Sequence, residues 1–210
     1  MEYFSQIGQD RFIDNFFSGK ENGFFVDIGA SDGKYFSNTY FFEKFKNWKG
    51  ICIEPLPTEF NKLNLNRSSI NLNLCVSDFE GETDFTYVEG FYDYPINMLS
   101  GISDKYNSLH VERINQEVNK CGGKIESIKV PVRPLQSIFD EFGVTHVDFC
   151  SIDTEGSEFE IVKSIDFDRT SIKVFIIENN YNETNIKDFL ETKGYVFHSK
   201  IEWDDVFVMK

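Results

Sequence analysis

The sequence predicts one α/β domain, a mostly parallel sheet flanked by helices, and three observations predict it. Short β-rich apolar runs alternate with helix-periodic segments along most of the chain, the order that builds a parallel sheet with crossover helices. The strongest of these runs, residues 24–28, passes into a turn of small residues, Gly29-Ala30-Ser31-Asp32-Gly33, and then a helical segment. The 210 residues suffice for a single domain with a substantial core, and 40% hydrophobic against 27% charged residues is an ordinary globular balance.

Taken in order, residues 9–17 form the first predicted helix, with Phe12, Ile13, Phe16 and Phe17 at helical spacing. Residues 24–28 are the first strand, 37–46 a helix, 50–54 the second strand, 57–66 a helix and 70–76 the third strand. From about 79 to 133 the alternation blurs, and this stretch reads as an insertion within a domain that spans 1–210. Inside it, 84–88 and 125–132 are β-like, 104–120 is helical, and Pro131 points to an edge position. Residues 135–142 return to helix. A buried-type strand follows at 147–152, then a helix through Ile161 and Val162, then a strand at 173–177. Thr184 is placed to cap a helix that ends at Gly194. Residues 195–201 and 206–209 close the chain as an antiparallel pair at the sheet edge. Most of the 23 phenylalanines belong to the core, because aromatic side chains bury large areas.

The formal net charge is −14. Duplex DNA or long RNA is therefore a poor partner, since phosphate binding needs clustered Lys and Arg. Cys52, Cys75, Cys121 and Cys150 have no zinc-like spacing, and three of them sit in apolar runs, so free buried thiols and a cytoplasmic, reducing compartment are expected. No signal peptide and no membrane-length apolar stretch appear, so no membrane insertion is expected.

The strand-turn-helix at 25–33 places an acid, Asp27, beside Gly29 and Gly33, whose lack of a side chain allows close backbone approach. In open α/β sheets ligands bind at such strand tips, and the amides that follow can hold a carboxylate. A dinucleotide site would want G-x-G-x-x-G, but Ser31 stands where the second Gly should be. Asp27 would repel pyrophosphate and suits the ammonium or sulfonium of S-adenosylmethionine. Glu54, at the second strand tip, can accept from two ribose hydroxyls. Asp78, at the third, can accept from an adenine amino group.

The chain resembles the FkbM family of methyltransferases. The matching pieces are Ser5-Gln6-Ile7-Gly8-Gln9-Asp10, Val26-Asp27-Ile28-Gly29-Ala30-Ser31-Asp32-Gly33, Ser37-Asn38-Thr39, Ile53-Glu54-Pro55, Val76-Ser77-Asp78 and Ile152-Asp153-Thr154-Glu155-Gly156-Ser157-Glu158. The resemblance implies a Rossmann-like class I methyltransferase with a seven-stranded sheet, and O-methylation of sugars, polysaccharides or polyketides. It places Asp27, Gly29, Glu54 and Asp78 on the cofactor and Asn38 at its amino-acid end. With Ala30, Ser31 and Ser77 these make up the expected cofactor-binding set.

Methyl transfer to an alcohol also needs alignment and removal of a proton. Asp153, Glu178 and Asn179 sit at the tips of the next two strands and offer hard oxygen ligands for magnesium or manganese. This set is similar to the metal site of catechol O-methyltransferases, but Gly156 stands where those enzymes carry a lysine. The catalytic candidates are Asp153, Glu155 and His198, with Asp10 as a further base. The insertion, with Tyr92, Tyr94, Met98, Ser100, His110 and Arg113, is the expected source of acceptor selectivity. The expected acceptor is a hydroxyl of a sugar, as a nucleotide-linked sugar or a glycan or capsule precursor, and a homodimer is compatible with the sequence. The competing readings are a nicotinamide-dependent sugar oxidoreductase and a non-catalytic binding module on the same fold.

Overall fold

A computed structural model describes residues 2–90 and 96–210. The elements in chain order are α1 (Gln9–Phe16), β1 (Phe24–Ile28), α2 (Tyr40–Phe45), β2 (Lys49–Ile53), α3 (Pro57–Asn66), β3 (Ile70–Leu72), β4 (Cys75–Val76) and β5 (Gly81–Glu89). After a 3-10 turn at Ile96–Leu99 come β6 (Gly101–Ile102), α4 (Ser108–Cys121), β7 (Lys124–Arg133), α5 (Leu135–Phe142), β8 (His146–Ile152) and α6 (Glu158–Lys163). The chain ends with β9 (Ser171–Glu178), α7 (Asn185–Thr192), β10 (Tyr195–Ile201) and β11 (Asp204–Met209).

Seven strands form one sheet in the order β10-β11-β9-β8-β1-β2-β3. The run from β3 to β9 is parallel, and β11 pairs antiparallel with both β9 and β10. Strand order reverses between β1 and β8, and a cleft opens there at the carboxyl ends of the strands. Side-chain alternation divides the core between the two sheet faces. Val26, Ile28, Ile51, Ile53, Cys150 and Ile152 pack with α5, α6 and α7, whereas Phe25, Cys52 and Phe149 pack with Ile13, Phe41, Phe42, Trp48 and Leu63.

The third expected strand is two elements. Asn73 Nδ2 donates to the carbonyls of Glu54 and Pro55 at 2.8 and 2.9 Å, which turns the chain out of the main sheet after Leu72. β4 then joins a second sheet, β4-β7-β5-β6, made otherwise of the insertion. Pro131 lies on β7, which is internal in that order. β4 pairs only with Val132 and Arg133, so Pro131 meets a single partner strand.

Two helices start later than periodicity predicts. The Ser37 hydroxyl accepts the amides of Thr39 and Tyr40, so α2 begins at Tyr40. Asn107 Oδ1 accepts the His110 amide at 2.9 Å and starts α4 at Ser108. Thr184 occupies the N-cap position of α7, but its side chain makes no capping bond. No helix among the described residues is long and apolar enough to cross a membrane.

Candidate active site

The cleft at the β1–β8 switch point has two adjoining lobes. The larger, about 670 Å³, runs between Glu54 and Asp153 along the apolar wall of Ile28, Ile53, Leu74 and Val76. The smaller, about 410 Å³, lies among Asp27, Asn38, Gln6 and Gln9. Gly29, Ser31, Met98 and Asp153 belong to both.

Gly29 is required at the waist. Its φ is +85°, and a Cβ there would lie 1.8 Å from the Asp153 carbonyl oxygen, on rigid backbone. We expect Gly29→Ala to force β1 and β8 apart, lowering the melting temperature and removing cofactor affinity together. A variant that melts like the parent and still binds S-adenosylhomocysteine would refute that packing.

At one end of the cleft, Glu54 accepts the Ser31 and Leu56 amides, both at 2.8 Å. Burial outweighs these bonds and pushes its carboxyl up to about 7. At the other end, Asp27 is buried and accepts from the Thr39 hydroxyl, with Arg67 Nη1 at 4.0 Å. Burial raises the Asp27 carboxyl despite Arg67 and Thr39. Asn38 Nδ2 donates to Ser151 Oγ at 2.9 Å, while its buried Oδ1, on the lobe wall, has no hydrogen-bond partner. Asp10 gathers the amides of Phe4 and Ser5 and the Ser5 hydroxyl, which fixes the N-terminal segment that brings Gln6 and Gln9 to this lobe.

The structure therefore brings Asp27, Gly29, Ser31, Asn38, Glu54 and Asp153 to one cleft. Glu155, Met98 and Ser100 line it as well, whereas Ala30, Ser77, Asp78, His198 and Asp10 do not. Ala30 packs in the core beneath the turn. Ser77 is buried, donates its amide to the Arg133 carbonyl and lies outside the cleft wall. Asp78 is exposed and pairs with Lys163 at 3.3 Å, away from the cleft. His198 lies on exposed β10, its ring against Phe12 and Phe16 and its Nδ1 at 3.0 Å from Ser199 Oγ, so it cannot act as the base. Asp10 is spent on the bonds just named. Tyr92 and Tyr94 lie outside the described residues.

The expected metal set is Asp153, Glu178 and Asn179. Asn179 Nδ2 donates to the Glu183 carbonyl and Asp205, and its Oδ1 accepts the Glu183 amide at 2.8 Å, which holds the side chain in the turn. Glu155 joins the two acids, and one oxygen each of Asp153, Glu155 and Glu178 lie within 4.8 Å of one another. Burial, with Asp204 and Glu158 near Asp153, raises all three carboxyls. Glu155 adopts φ +58°, a left-handed conformation uncommon outside glycine.

One residue and one contact escaped the sequence reading, Arg67 and the approach of His110, named there only for acceptor selectivity, to Glu155. Arg67, at the end of α3, binds Glu43, Thr39, Ser37 and the Gly33 carbonyl. His110, in the insertion, places Nδ1 at 3.2 Å from Glu155 Oε2 while its Nε2 lies 3.1 Å from the Leu99 carbonyl. Their contacts are distant in sequence, so no local signal marks them.

Comparison with known proteins gives the family. The model of the methyltransferase FkbM domain matches residues 27–197. A curated relative, methyltransferase sdnD of Sordaria araneosa, is 23% identical over 207 residues, covering 87% of this chain and 77% of that protein. The crystal structure of methyltransferase FkbM from Methylobacillus flagellatus superposes with a TM-score of 0.50 at 15% identity, over 89% of this chain and 43% of that one. The precorrin-6y C5,15-methyltransferase of Geobacter metallireducens gives a TM-score of 0.46 at 11% identity, over 95% of this chain and 84% of that one. The chain belongs to the FkbM methyltransferase domain family, and its sheet is that of a class I methyltransferase.

Proposed function

We propose that the protein transfers a methyl group from S-adenosylmethionine to a hydroxyl oxygen of a sugar. The observation that carries the reading is the two-lobed cleft, with Glu54 at one end, the unpartnered Asn38 Oδ1 at the other and Asp153 at the waist. Its donors and acceptors fit that cofactor. Asn38 Oδ1 and Asp27 suit an ammonium group, Glu54 suits ribose hydroxyls, and the apolar wall suits a purine. When bound, the cofactor supplies a methyl carbon activated by a sulfonium.

The chain's own part is to align the acceptor oxygen with that carbon and to take its proton. Asp153 is the base in this reading because it borders both lobes of the cleft. Glu155 stands between the cleft and a further cavity of about 900 Å³, lined by Phe159, Asn180 and Tyr181 among others. Amides and aromatic rings are groups that hold sugars, and the acceptor enters from this side.

Calorimetric titration with S-adenosylhomocysteine tests the reading, and micromolar binding is expected. Glu54→Gln puts a donor where two backbone amides and a ribose need acceptors. Its affinity should fall about 10–100-fold, the worth of one charged hydrogen bond. No binding to the parent protein would sink the proposal, and tight binding of a nicotinamide cofactor would favour the oxidoreductase.

A further inference from the structure

We infer that the acceptor is an amino sugar, with a protonated amine close to the hydroxyl that is methylated. The inference rests on the methyl-transfer reading above and names its substrate class.

The acceptor cavity shares Glu155 with the cofactor cleft. Glu155, Glu158 and Glu178 line it, with Asp104, Glu160 and Glu183, against the single cation Lys105. Lys105 is itself 3.7 Å from Glu160. Arg113 approaches Glu155 at 3.7 Å, but its side chain is half exposed and is not part of the wall. Glu158 is satisfied locally by Thr154 and the Gly156 amide. Glu178 accepts from Asn180 Nδ2, which leaves Glu155 Oε2 as the buried oxygen without a donor among these three glutamates.

An independent observation points to a ligand. The Glu155 side chain is only 8% exposed, and its Oε2 has no hydrogen-bond partner. The neighbouring His110 cannot supply a donor in its neutral form. Its Nε2 faces a carbonyl and must carry the proton, so Nδ1 is an acceptor, with the Tyr181 hydroxyl 3.3 Å away. A buried carboxylate oxygen without a donor is costly, and a bound cation removes that cost.

The cofactor cleft reaches Asp153 and Glu155 but not the third acid of the set. Glu178 lies outside both lobes of the cofactor cleft. An ammonium carries three donors on one atom, which matches the converging oxygens of Asp153, Glu155 and Glu178. A cation there also offsets the burial and repulsion that raise these carboxyls. Conversely, the phosphates of a nucleotide-linked sugar would meet like charge throughout the cavity, so that form of acceptor is disfavoured.

The test measures methyl transfer by the intact protein to methyl glycosides bearing an amine at C2, C3 or C4. Each is paired with its N-acetylated twin and its neutral parent, and a uridine diphosphate sugar is included. The best amine should exceed its twin at least about tenfold in kcat/KM. Glu178→Gln should erase that preference without changing S-adenosylhomocysteine affinity. Equal rates for amine and twin, turnover of the nucleotide-linked sugar alone, or no amine turnover by protein that binds S-adenosylhomocysteine would each overturn the inference. So would manganese alone binding the chelator-treated protein in a manner abolished by Glu178→Gln and unaffected by the amine, since the cation would then be a metal. Failure to bind S-adenosylhomocysteine would instead bring down the methyl-transfer reading itself.

Discussion

Asp153→Asn is expected to slow methyl transfer by about 10²–10⁴-fold, the usual worth of a positioned base, with S-adenosylhomocysteine affinity close to that of the parent. The substitution keeps the volume and the backbone bond from the Asp153 amide to the Ile28 carbonyl at 3.0 Å. Asp27, Asn38 and Glu54, which would hold the two ends of the cofactor, are untouched. What disappears is the charge at the waist of the cleft. Burial, then Asp204 and Glu158, raises the Asp153 carboxyl above the ordinary range. A carboxylate so raised is a stronger base, but it must be ionised to act, so kcat/KM should rise with pH through that raised range. The limb belongs to the group formed with Glu155 and Glu178, because coupled acids titrate together. The variant should lose or shift that limb. Equal losses of turnover and of S-adenosylhomocysteine affinity would make Asp153 a cofactor ligand and not the base.

The sheet was legible because its parallel strands are buried on both faces and read as short apolar runs. β1, α3 and α5 fall where periodicity puts them. The errors come from side chains that bond to backbone. Asn73 breaks an apparently continuous run, Ser37 and Asn107 delay two helices, and none of these bonds leaves a periodic trace. Pro131 misled differently, since the internal strand carrying it is paired along only one side at that point.

The strand-tip acids were legible as a site because topology alone brings Asp27, Glu54, Asp153 and Glu178 to one sheet edge. Which of them holds what was not legible. Asn179 looks like a ligand by position, yet its amide closes the turn to Glu183. Glu155 is among the catalytic candidates, but the left-handed backbone that directs it between two cavities leaves no mark in the sequence. Asp78 shows the opposite case, a strand-tip acid that turns to the surface and Lys163.

Arg67→Ala is expected to destabilise the fold by about 3–5 kcal/mol, the cost of removing one partner from a buried ion pair. The Arg67 side chain is fully buried, with Nε 2.7 Å from Glu43 and its guanidinium over the Phe25 ring. Without it, Glu43 and Asp27 are left as buried acids, and the Gly33 carbonyl loses a donor. The pH dependence identifies the cause. Burial alone would raise Glu43, but Arg67 and Ser68 outweigh it and hold the carboxyl at about 2. A carboxyl lowered on folding stabilises above its unfolded value of 4.5, and that contribution is lost as pH falls toward about 2. In the variant only the Ser68 bonds and Lys44 oppose burial, so the Glu43 carboxyl rises and acid costs the variant less than the parent. The stability gap between parent and variant, read by urea unfolding, should therefore be widest near neutral pH and narrow steadily below about pH 4.5. Arg67→Lys should recover only part of the gap, because one ammonium cannot span acceptors on α2, on β1 and at Gly33 at once. A gap independent of pH would mean that lost packing, rather than lost charge, is what Arg67 contributes. The same variant links stability to the cofactor site, since Arg67 also bonds the Thr39 hydroxyl that holds Asp27.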